Sequence, residues 1–310
     1  MLEINDLVKN YGKFRALDGL SLTVPDGSIF GFVGPNGAGK TTTMRIIAGL
    51  LASTSGQVSV DGVDVTKDPK ALREKIGYMP DFFGVYDNLK VTEYMDFYAG
   101  TYQIPYKERG AIIDNLLDIV DLSHKKDAYV DSLSRGMKQR LCLARSLIHD
   151  PELLILDEPA SGLDPRARIE MKEVLKQLQL MGKTIIISSH ILPELAEMCT
   201  EVAIISGGKL ATQGAVQDIM HSLSKKREVR VKTLDVASME KLTMLLREQP
   251  LVNGVRQNAA DLEFDYDGDD KALSALLYHM VLAEIPILSF HEKEGNLEEI
   301  FMQVTGGGAV

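Results

Sequence analysis

The chain has 310 residues and a mass of 34.2 kDa, and at roughly 150 residues per domain this length predicts about two domains. Its composition, 45% hydrophobic and 25% charged, excludes a disordered, collagen-like or disulfide-dense chain. The net charge of −10 has the wrong sign for a protein whose main partner is a nucleic-acid backbone, so we expect no nucleic acid. Two cysteines, Cys142 and Cys199, lack metal-ligand spacing and are expected to be buried thiols of a reducing compartment.

No stretch of the sequence reaches the ~20 uninterrupted apolar residues that a membrane-spanning helix requires. The nearest approach, Leu276 to Leu288, is interrupted by His279, Glu284 and Pro286. The first residues also lack the basic segment and apolar core of a secretory signal. These patterns predict a cytoplasmic chain that does not itself cross a bilayer.

Short strands and turns alternate at the start of the sequence. Strands are predicted over 2–7, 17–24 and 28–33, bounded by turn residues such as Pro25-Asp26-Gly27. The third strand leads into a glycine-rich loop, and apolar residues from Thr41 to Leu50 then recur at helical spacing. The order strand, loop, helix predicts an α/β fold.

A mostly helical insert is predicted over about Asp87 to His149, because its apolar residues recur three and four positions apart. The apolar run 153–156 after it is typical of a strand buried on both faces of a parallel sheet. A crossover helix over 166–181 and a second buried strand over 184–188 complete this unit. Active groups are expected at the carboxyl ends of these strands.

The composition changes near Ser222, where Ser-Leu-Ser-Lys-Lys-Arg is typical of a linker. We therefore predict an α/β domain over 1–222 and an accessory α+β domain over 223–310. In the second domain the predicted elements are strand 228–233, helix 238–247, strands 252–257 and 261–266, helix 270–283 and strand 287–292. This βαββαβ order predicts a small ferredoxin-like sandwich, followed by a last helix over 296–304.

The glycine-rich loop carries the strongest motif. Gly34-Pro35-Asn36-Gly37-Ala38-Gly39-Lys40-Thr41 matches G-x-x-x-x-G-K-[ST] between a predicted strand and a predicted helix. In such a loop the backbone N–H groups and the helix dipole converge on phosphate oxygens, the lysine reaches the β- and γ-phosphates, and the threonine hydroxyl suits Mg²⁺. The motif predicts that these residues and Thr42 bind a nucleoside triphosphate, with Thr41 on the metal.

The acidic pair Asp157-Glu158 supplies the second half of the predicted site. A carboxylate at the end of a buried strand can hold the Mg²⁺ shell, and the next one can polarise the water that attacks the γ-phosphate. We therefore predict that Asp157 binds the metal and that Glu158 is the general base. The alternative is a pair of surface acids that follow a core strand.

Further motifs surround this pair. They are Leu133-Ser134-Arg135-Gly136-Met137, which begins 24 residues before Asp157, then Pro159-Ala160-Ser161-Gly162-Leu163-Asp164, and Ser188-Ser189-His190. These segments resemble the signature motif, the D-loop and the switch histidine of ABC ATPases. Tyr11 falls where that family has its adenine-stacking aromatic side chain, and the resemblance covers about 1–222.

The resemblance implies a P-loop NTPase of the ABC ATPase type, with a helical subdomain, that hydrolyses ATP with Mg²⁺. It also implies a head-to-tail dimer with a second copy or a related ATPase subunit. In that dimer Ser134 and the Gly136 amide of one subunit reach the γ-phosphate bound by the other. His190 would hold the γ-phosphate and the attacking water, and Asp164 would couple the two sites.

Two features depart from the family pattern. The Q-loop usually has glutamine, whereas this sequence has Asp81, whose carboxylate could ligate Mg²⁺ but would repel phosphate without a metal between them. The signature differs from the common LSGGQ at Arg135 and Met137. Arg135 either contributes a positive charge near the dimer interface or is a solvated side chain.

One nucleotide-binding half without a membrane span implies a subunit of an ABC transporter. It would power separate integral membrane permease subunits from the inner face of the cell membrane. The segment 82–89 fits the family's groove for a permease coupling helix, with core packing as the alternative, and 298–301 resembles the tail of bacterial exporter ATPases. Two other interpretations are a soluble ABC ATPase acting on nucleic acid or a protein assembly, and a nucleotide-binding regulator that does not hydrolyse.

Overall fold

The computed structural model describes residues 2–81, 84, 88–190, 195, 197–223, 227–258 and 261–293. The chain divides after Val216 into two compact units. Most of segment 82–89, the predicted helix over 296–304 and the motif at 298–301 lie outside the described residues. Within the described ranges, no helix has both the length and the apolar character needed to span a membrane.

The first unit opens with an antiparallel sheet. Its order is β2-β1-β4-β5, formed by β1 (Leu2–Tyr11), β2 (Phe14–Val24), β4 (Ser55–Val60) and β5 (Val63–Asp64). β1 and β2 remain paired as far as Tyr11 and Phe14, beyond the strands predicted over 2–7 and 17–24. The register shifts along β1 interrupt the alternation of apolar and polar residues, so the sequence shows no strand pattern there.

The central sheet of the first unit has six strands in the order β10-β9-β3-β8-β7-β6. They are β3 (Ile29–Val33), β6 (Ile76–Met79), β7 (Leu153–Asp157), β8 (Thr184–Ser189), β9 (Glu201–Ser206) and β10 (Lys209–Ala215). All are parallel except β10. β3 and β7 are buried at every residue, which explains their unbroken apolar sequences. The carboxyl ends of β3, β8 and β7 are therefore neighbours at one edge.

Helices connect these strands. α1 (Lys40–Ile47) follows β3, α2 (Pro69–Lys75) precedes β6, and α6 (Pro165–Leu180) crosses from β7 to β8. α7 (Val216–Leu223) follows β10 and, apart from its first residue, belongs to the second unit, so the predicted linker begins inside a helix. The apolar residues of α7 recur three and four positions apart, which accounts for this helix.

The predicted insert is helical. It contains α3 (Val91–Thr101), α4 (Tyr106–Ile119) and α5 (Arg135–Ser146), which pack together, with two short 3₁₀ turns between α4 and α5. Arg145 of α5 is held against α3, since its Nη1–H donates to Tyr94 Oη at 3.3 Å and its guanidinium lies 5.1 Å from the Tyr98 ring centre. Cys142 beside it is a buried free thiol, and burial raises its pKa to about 11.

The second unit has ferredoxin-like topology, which confirms the prediction. It comprises β11 (Arg227–Thr233), α8 (Val236–Arg247), β12 (Val252–Asn258), β13 (Asp261–Tyr266), α9 (Asp270–Leu282) and β14 (Ile287–Lys293). Its antiparallel sheet has the order β12-β13-β11-β14. Val231 and Phe264 of the sheet share one core with Leu242 and Leu276 of the helices, so both helices cover the same face.

His149 joins the helical insert to the central sheet. Its Nε2–H donates to the Ile76 carbonyl of β6 at 3.0 Å, and its ring stacks on Tyr102 with centres 3.9 Å apart. A carbonyl can only accept, so the neutral ring carries its proton on Nε2. Nδ1 is buried with no hydrogen-bond partner among the described residues. Burial therefore lowers the pKa of His149, and the bond to Ile76 opposes this only in part.

We predict that His149 makes the folded protein sensitive to acid. Because its pKa is lower in the folded state, its contribution to stability is complete above the unfolded value of 6.5 and is lost as the pH falls below that value. Urea unfolding at about pH 7.5 and about pH 5.5 should show a smaller loss of unfolding free energy in His149→Gln than in wild type. The exposed His124→Gln is the control, and equal losses in wild type and His149→Gln would contradict the prediction.

Candidate active site

The phosphate loop bridges the end of β3 and the start of α1. Gly39 precedes α1 with a φ of 106°, and a Cβ there would lie 2.6 Å from Leu17 Cδ2 and 2.9 Å from the Ala16 carbonyl oxygen. Only glycine fits both the left-handed backbone and this gap. The loop can therefore pack closely against β2 just before the first turn of α1, where the backbone N–H groups have no partner within the helix.

The loop faces a cleft of about 390 Å³ that brings most of the predicted site together. The predicted residues that line it are Tyr11, Pro35, Asn36, Gly37, Ala38, Gly39, Lys40, Thr41, Thr42, Asp81, Glu158 and His190. The lining residues that sequence reasoning missed are Phe14, Ala16 and Ser161. Gly34 and Asp157 do not line the cleft themselves but bond to residues that do, Lys40 and Thr41 respectively.

Lys40 is only 6% exposed and is held by the loop itself. Its Nζ donates to the Gly34 carbonyl at 2.7 Å and lies 3.9 Å from Glu158 Oε1. Burial lowers the pKa of Lys40, while the Glu158 and Asp157 carboxylates oppose that shift. A phosphate anion would be a stronger partner for this ammonium than the neutral carbonyl.

Asp157 is 1% exposed and its carboxylate is oriented by two hydroxyl groups. Ser188 Oγ–H donates to Asp157 Oδ1 at 2.6 Å, and Thr41 Oγ1–H reaches the same oxygen at 3.3 Å. Ser188 Oγ also accepts from the Glu158 N–H at 2.9 Å. Ser188 thus connects both acidic residues, a role that its sequence position in an apolar strand did not indicate.

Glu158 and His190 form a pair beside Lys40. His190 Nδ1 lies 3.0 Å from Glu158 Oε2 and 3.2 Å from Oε1. Glu158 has a φ of 53°, a left-handed conformation that costs a non-glycine residue ~1–3 kcal/mol and is concentrated at active sites. Burial raises the pKa of Glu158, and the hydrogen bond from His190 opposes the rise. A carboxylate with a raised pKa is a stronger general base.

Ser134, Gly136 and Asp164 do not line this cleft. Ser134 precedes α5 and accepts the Met137 N–H at 3.3 Å, and Asp164 does the same for α6 with the Ala167 N–H at 2.8 Å. Gly136 packs against α6, since a Cβ there would come within 2.9 Å of Ala167 Cβ. In a single chain, the signature turn is therefore separate from the phosphate loop.

Comparison with known proteins identifies the family. Residues 17–161 match the family described as ABC transporter, and residues 214–305 match the C-terminal domain described as ATP-binding protein DrrA1-3-like. The linearmycin resistance ATP-binding protein LnrL of Bacillus subtilis is 32% identical over 308 residues, which cover 99% of this chain and 98% of LnrL. The bacitracin transport ATP-binding protein BcrA of Bacillus licheniformis is 36% identical over 313 residues, which cover 100% of this chain and 99% of BcrA.

The chain belongs to the ABC transporter ATP-binding proteins. A solved ATP-binding subunit of an ABC transporter has the same fold as this ABC ATPase, with a TM-score of 0.65 and 28% identity over 80% of this chain and 100% of that one. A dimeric ATP-binding cassette bound to ADP and Pi shares the fold with a TM-score of 0.63 at 24% identity, over 70% of this chain and 99% of that one. The predicted fold class, ATP binding and ATPase activity are confirmed.

Phe14 lies next to Tyr11 at the mouth of the ABC ATPase cleft. The two residues pair across the β1–β2 hairpin and both line the cleft. Phe14 is 62% exposed and Tyr11 is 47% exposed. Lys9 Nζ lies 5.2 Å from the centre of the Tyr11 ring, so a cation contacts that ring from outside the cleft lining. In the sequence, only the spacing of the two aromatic residues across a short turn could have indicated that Phe14 lines the cleft.

We predict that Phe14 contributes a stacking surface for the nucleobase. Stacking of a base on an aromatic side chain is worth ~1–3 kcal/mol, so Phe14→Ala should weaken ATP binding roughly 5- to 150-fold. Inorganic tripolyphosphate, which has no base, should bind both proteins equally in titration calorimetry. Phe14→Tyr keeps the ring and should bind ATP like wild type. An equal loss of ATP and tripolyphosphate binding in Phe14→Ala would refute the stacking role.

Proposed function

We propose that this ABC ATPase powers transport through separate integral membrane permease subunits, bound at the inner, cytoplasmic face of the cell membrane. Alignment over nearly the whole chain with transport proteins carries the proposal. BcrA is named a bacitracin transport ATP-binding protein, and a Nod factor export ATP-binding protein I of Rhizobium etli is 33% identical over 98% of this chain and 93% of its own length. Both named systems move a molecule, which favours a transport role over a soluble ATPase acting on nucleic acid.

The arrangement of the cleft supports a distinct role for each of its residues. Tyr11 stacks on adenine, while the loop from Gly34 to Thr42 holds the phosphates and Lys40 exchanges its carbonyl partner for phosphate oxygens. Glu158 accepts the proton of the attacking water, and His190 holds the carboxylate and the γ-phosphate in place. The distances of Glu158 to Lys40 and His190 support these roles.

The oxygen donors of the cleft fit Mg²⁺. Thr41 and Asp157 share a hydrogen bond, and hydroxyl and carboxylate oxygens suit this hard cation. No cluster of three or more histidine, cysteine or acidic side chains with metal-ligand geometry occurs in the described part of the chain. This fits an ion held through few protein ligands and substrate phosphates. Bound there, Mg²⁺ would neutralise phosphate charge, and Asp81 is proposed as a further group in its shell.

A second subunit completes the proposed site. Ser134 and Gly136 stand at the start of α5, away from the cleft of their own chain, and helix N-termini favour anions. Two solved cassettes with this fold are dimeric. We infer a head-to-tail dimer, of two copies or with a related ATPase subunit, in which Ser134 and the Gly136 amide contact the γ-phosphate held by the partner and Asp164 couples the two sites.

We predict that Glu158→Gln binds ATP but hydrolyses it ~10² to 10⁴ times more slowly, the usual cost of losing a positioned base. Unhydrolysed ATP should then hold two subunits together, so a dimer should accumulate in gel filtration with ATP and Mg²⁺. Glu152→Gln is the matched control, because Glu152 is an exposed acid paired with Lys75 at the start of β7. Turnover at the wild-type rate in Glu158→Gln would show that another group is the base.

Membrane association tests the transport role directly. We expect the chain to sediment with membranes when its permease subunits are co-expressed, and to stay in the supernatant when they are not. Membrane ATPase activity should follow the same pattern and fall ~10²- to 10⁴-fold with Glu158→Gln. A chain that remains in the supernatant in both cases would favour the soluble ABC ATPase instead.

A further inference from the structure

Arg135, which departs from the common signature sequence, is held against the D-loop. Its Nη2–H donates to the Ser161 carbonyl at 2.9 Å. Gln139, one turn further along α5 and buried, approaches the same oxygen with Nε2 at 3.5 Å. Arg135 is therefore not merely a solvated side chain, because α5 holds one D-loop carbonyl through two side chains.

The Arg135 guanidinium also packs on Gly162. Gly162 has a φ of 66°, and a Cβ built on it would lie 2.5 Å from the guanidinium carbon and from Nη1. Any side chain at residue 162 would have to displace the arginine. The contact between the signature and the D-loop is thus a packed one, formed over two consecutive residues.

Ser161 links this contact to the hydrolysis site of the same chain. It lines the nucleotide cleft, and its N–H donates to the Glu158 carbonyl at 3.1 Å. One tight turn therefore has the proposed base at its start and the Arg135 contact at its end. A glycine at 135, as in LSGGQ, has no side chain to donate this hydrogen bond.

We propose that Arg135 is a positioning residue that couples the two ATP sites of the dimer. The inference rests on the proposed function, in which Ser134 and Gly136 contact the γ-phosphate bound by the second copy. ATP bound in the cleft of the second copy holds the first turn of α5 in place. Through its hydrogen bond to Ser161, Arg135 then holds the turn that carries Glu158. Hydrolysis in one cleft then depends on occupation of the other.

The test is the ATP dependence of hydrolysis by the full-length chain. Wild type should show a Hill coefficient above one. Arg135→Ala should lower kcat roughly three- to tenfold, the scale of one lost hydrogen bond, and lower the Hill coefficient toward one, with the Kd for ATP unchanged. Arg135→Lys keeps a cationic donor and should recover part of both values. Arg166→Ala is the matched control, because Arg166 is an exposed arginine of α6 paired with Glu170.

Three results would overturn the coupling. They are a wild-type Hill coefficient of one, an Arg135→Ala protein with unchanged kcat and cooperativity, and equal losses in Arg135→Ala and Arg135→Lys. Failure of the proposed function would look different, because Glu158→Gln would then form no dimer with ATP and Mg²⁺, or the chain would stay in the supernatant when its permease subunits are co-expressed. Absence of the dimer would refute the coupling as well, whereas failure to reach the membrane would leave it intact.

Discussion

The site depends on a carboxylate buried at the end of an apolar strand. An ionised group as enclosed as Asp157 costs several kcal/mol unless hydrogen bonds replace its lost hydration. The parallel register of β7 and β8 places Ser188 directly opposite Asp157 and supplies that bond. The same hydroxyl accepts the N–H of Glu158, so one serine fixes both acidic residues. Because Thr41 also reaches Asp157, the phosphate loop is placed relative to β7 by the same carboxylate.

Glu158 lies between the buried strand β7 and the D-loop, and opposing effects set the pKa of its carboxylate. Burial raises its pKa, whereas His190 and Lys40 lower it. A phosphate that takes Lys40 as its partner weakens the effect of that cation on Glu158, so we expect nucleotide binding itself to raise the pKa of Glu158 and strengthen it as the proposed base. The left-handed backbone of Glu158 turns the chain within one residue, which keeps the carboxylate close to Lys40 while Ser161 reaches α5.

Sequence patterns predicted what depends on local chemistry. β3, β7 and β8 are short apolar runs with distinct ends, and the phosphate loop is a contiguous motif, so both could be located from the sequence. The ferredoxin-like order followed from alternating periodicities. Residues that act through distant partners could not be found this way. Ser188 matters because strand register places it beside Asp157, and Phe14 because a hairpin continues through polar residues. β4, half of whose residues are exposed, has no clear strand pattern either.

The charges around the cleft indicate which form of the nucleotide it suits. Asp81 and Glu158 line it and Asp157 lies directly behind Thr41, whereas the basic side chains among the described lining residues are Lys40 and His190. Free ATP would bring its phosphate charges close to three carboxylates, and repulsion over such distances is strong where water is displaced. With a divalent cation bound beside the phosphates, the same carboxylates would serve as ligands or counter-charges instead of repelling the nucleotide. Asp81 lines the cleft where the family usually has a neutral glutamine, and under the proposed function its carboxylate would increase this dependence, because it adds negative charge that a cation would offset.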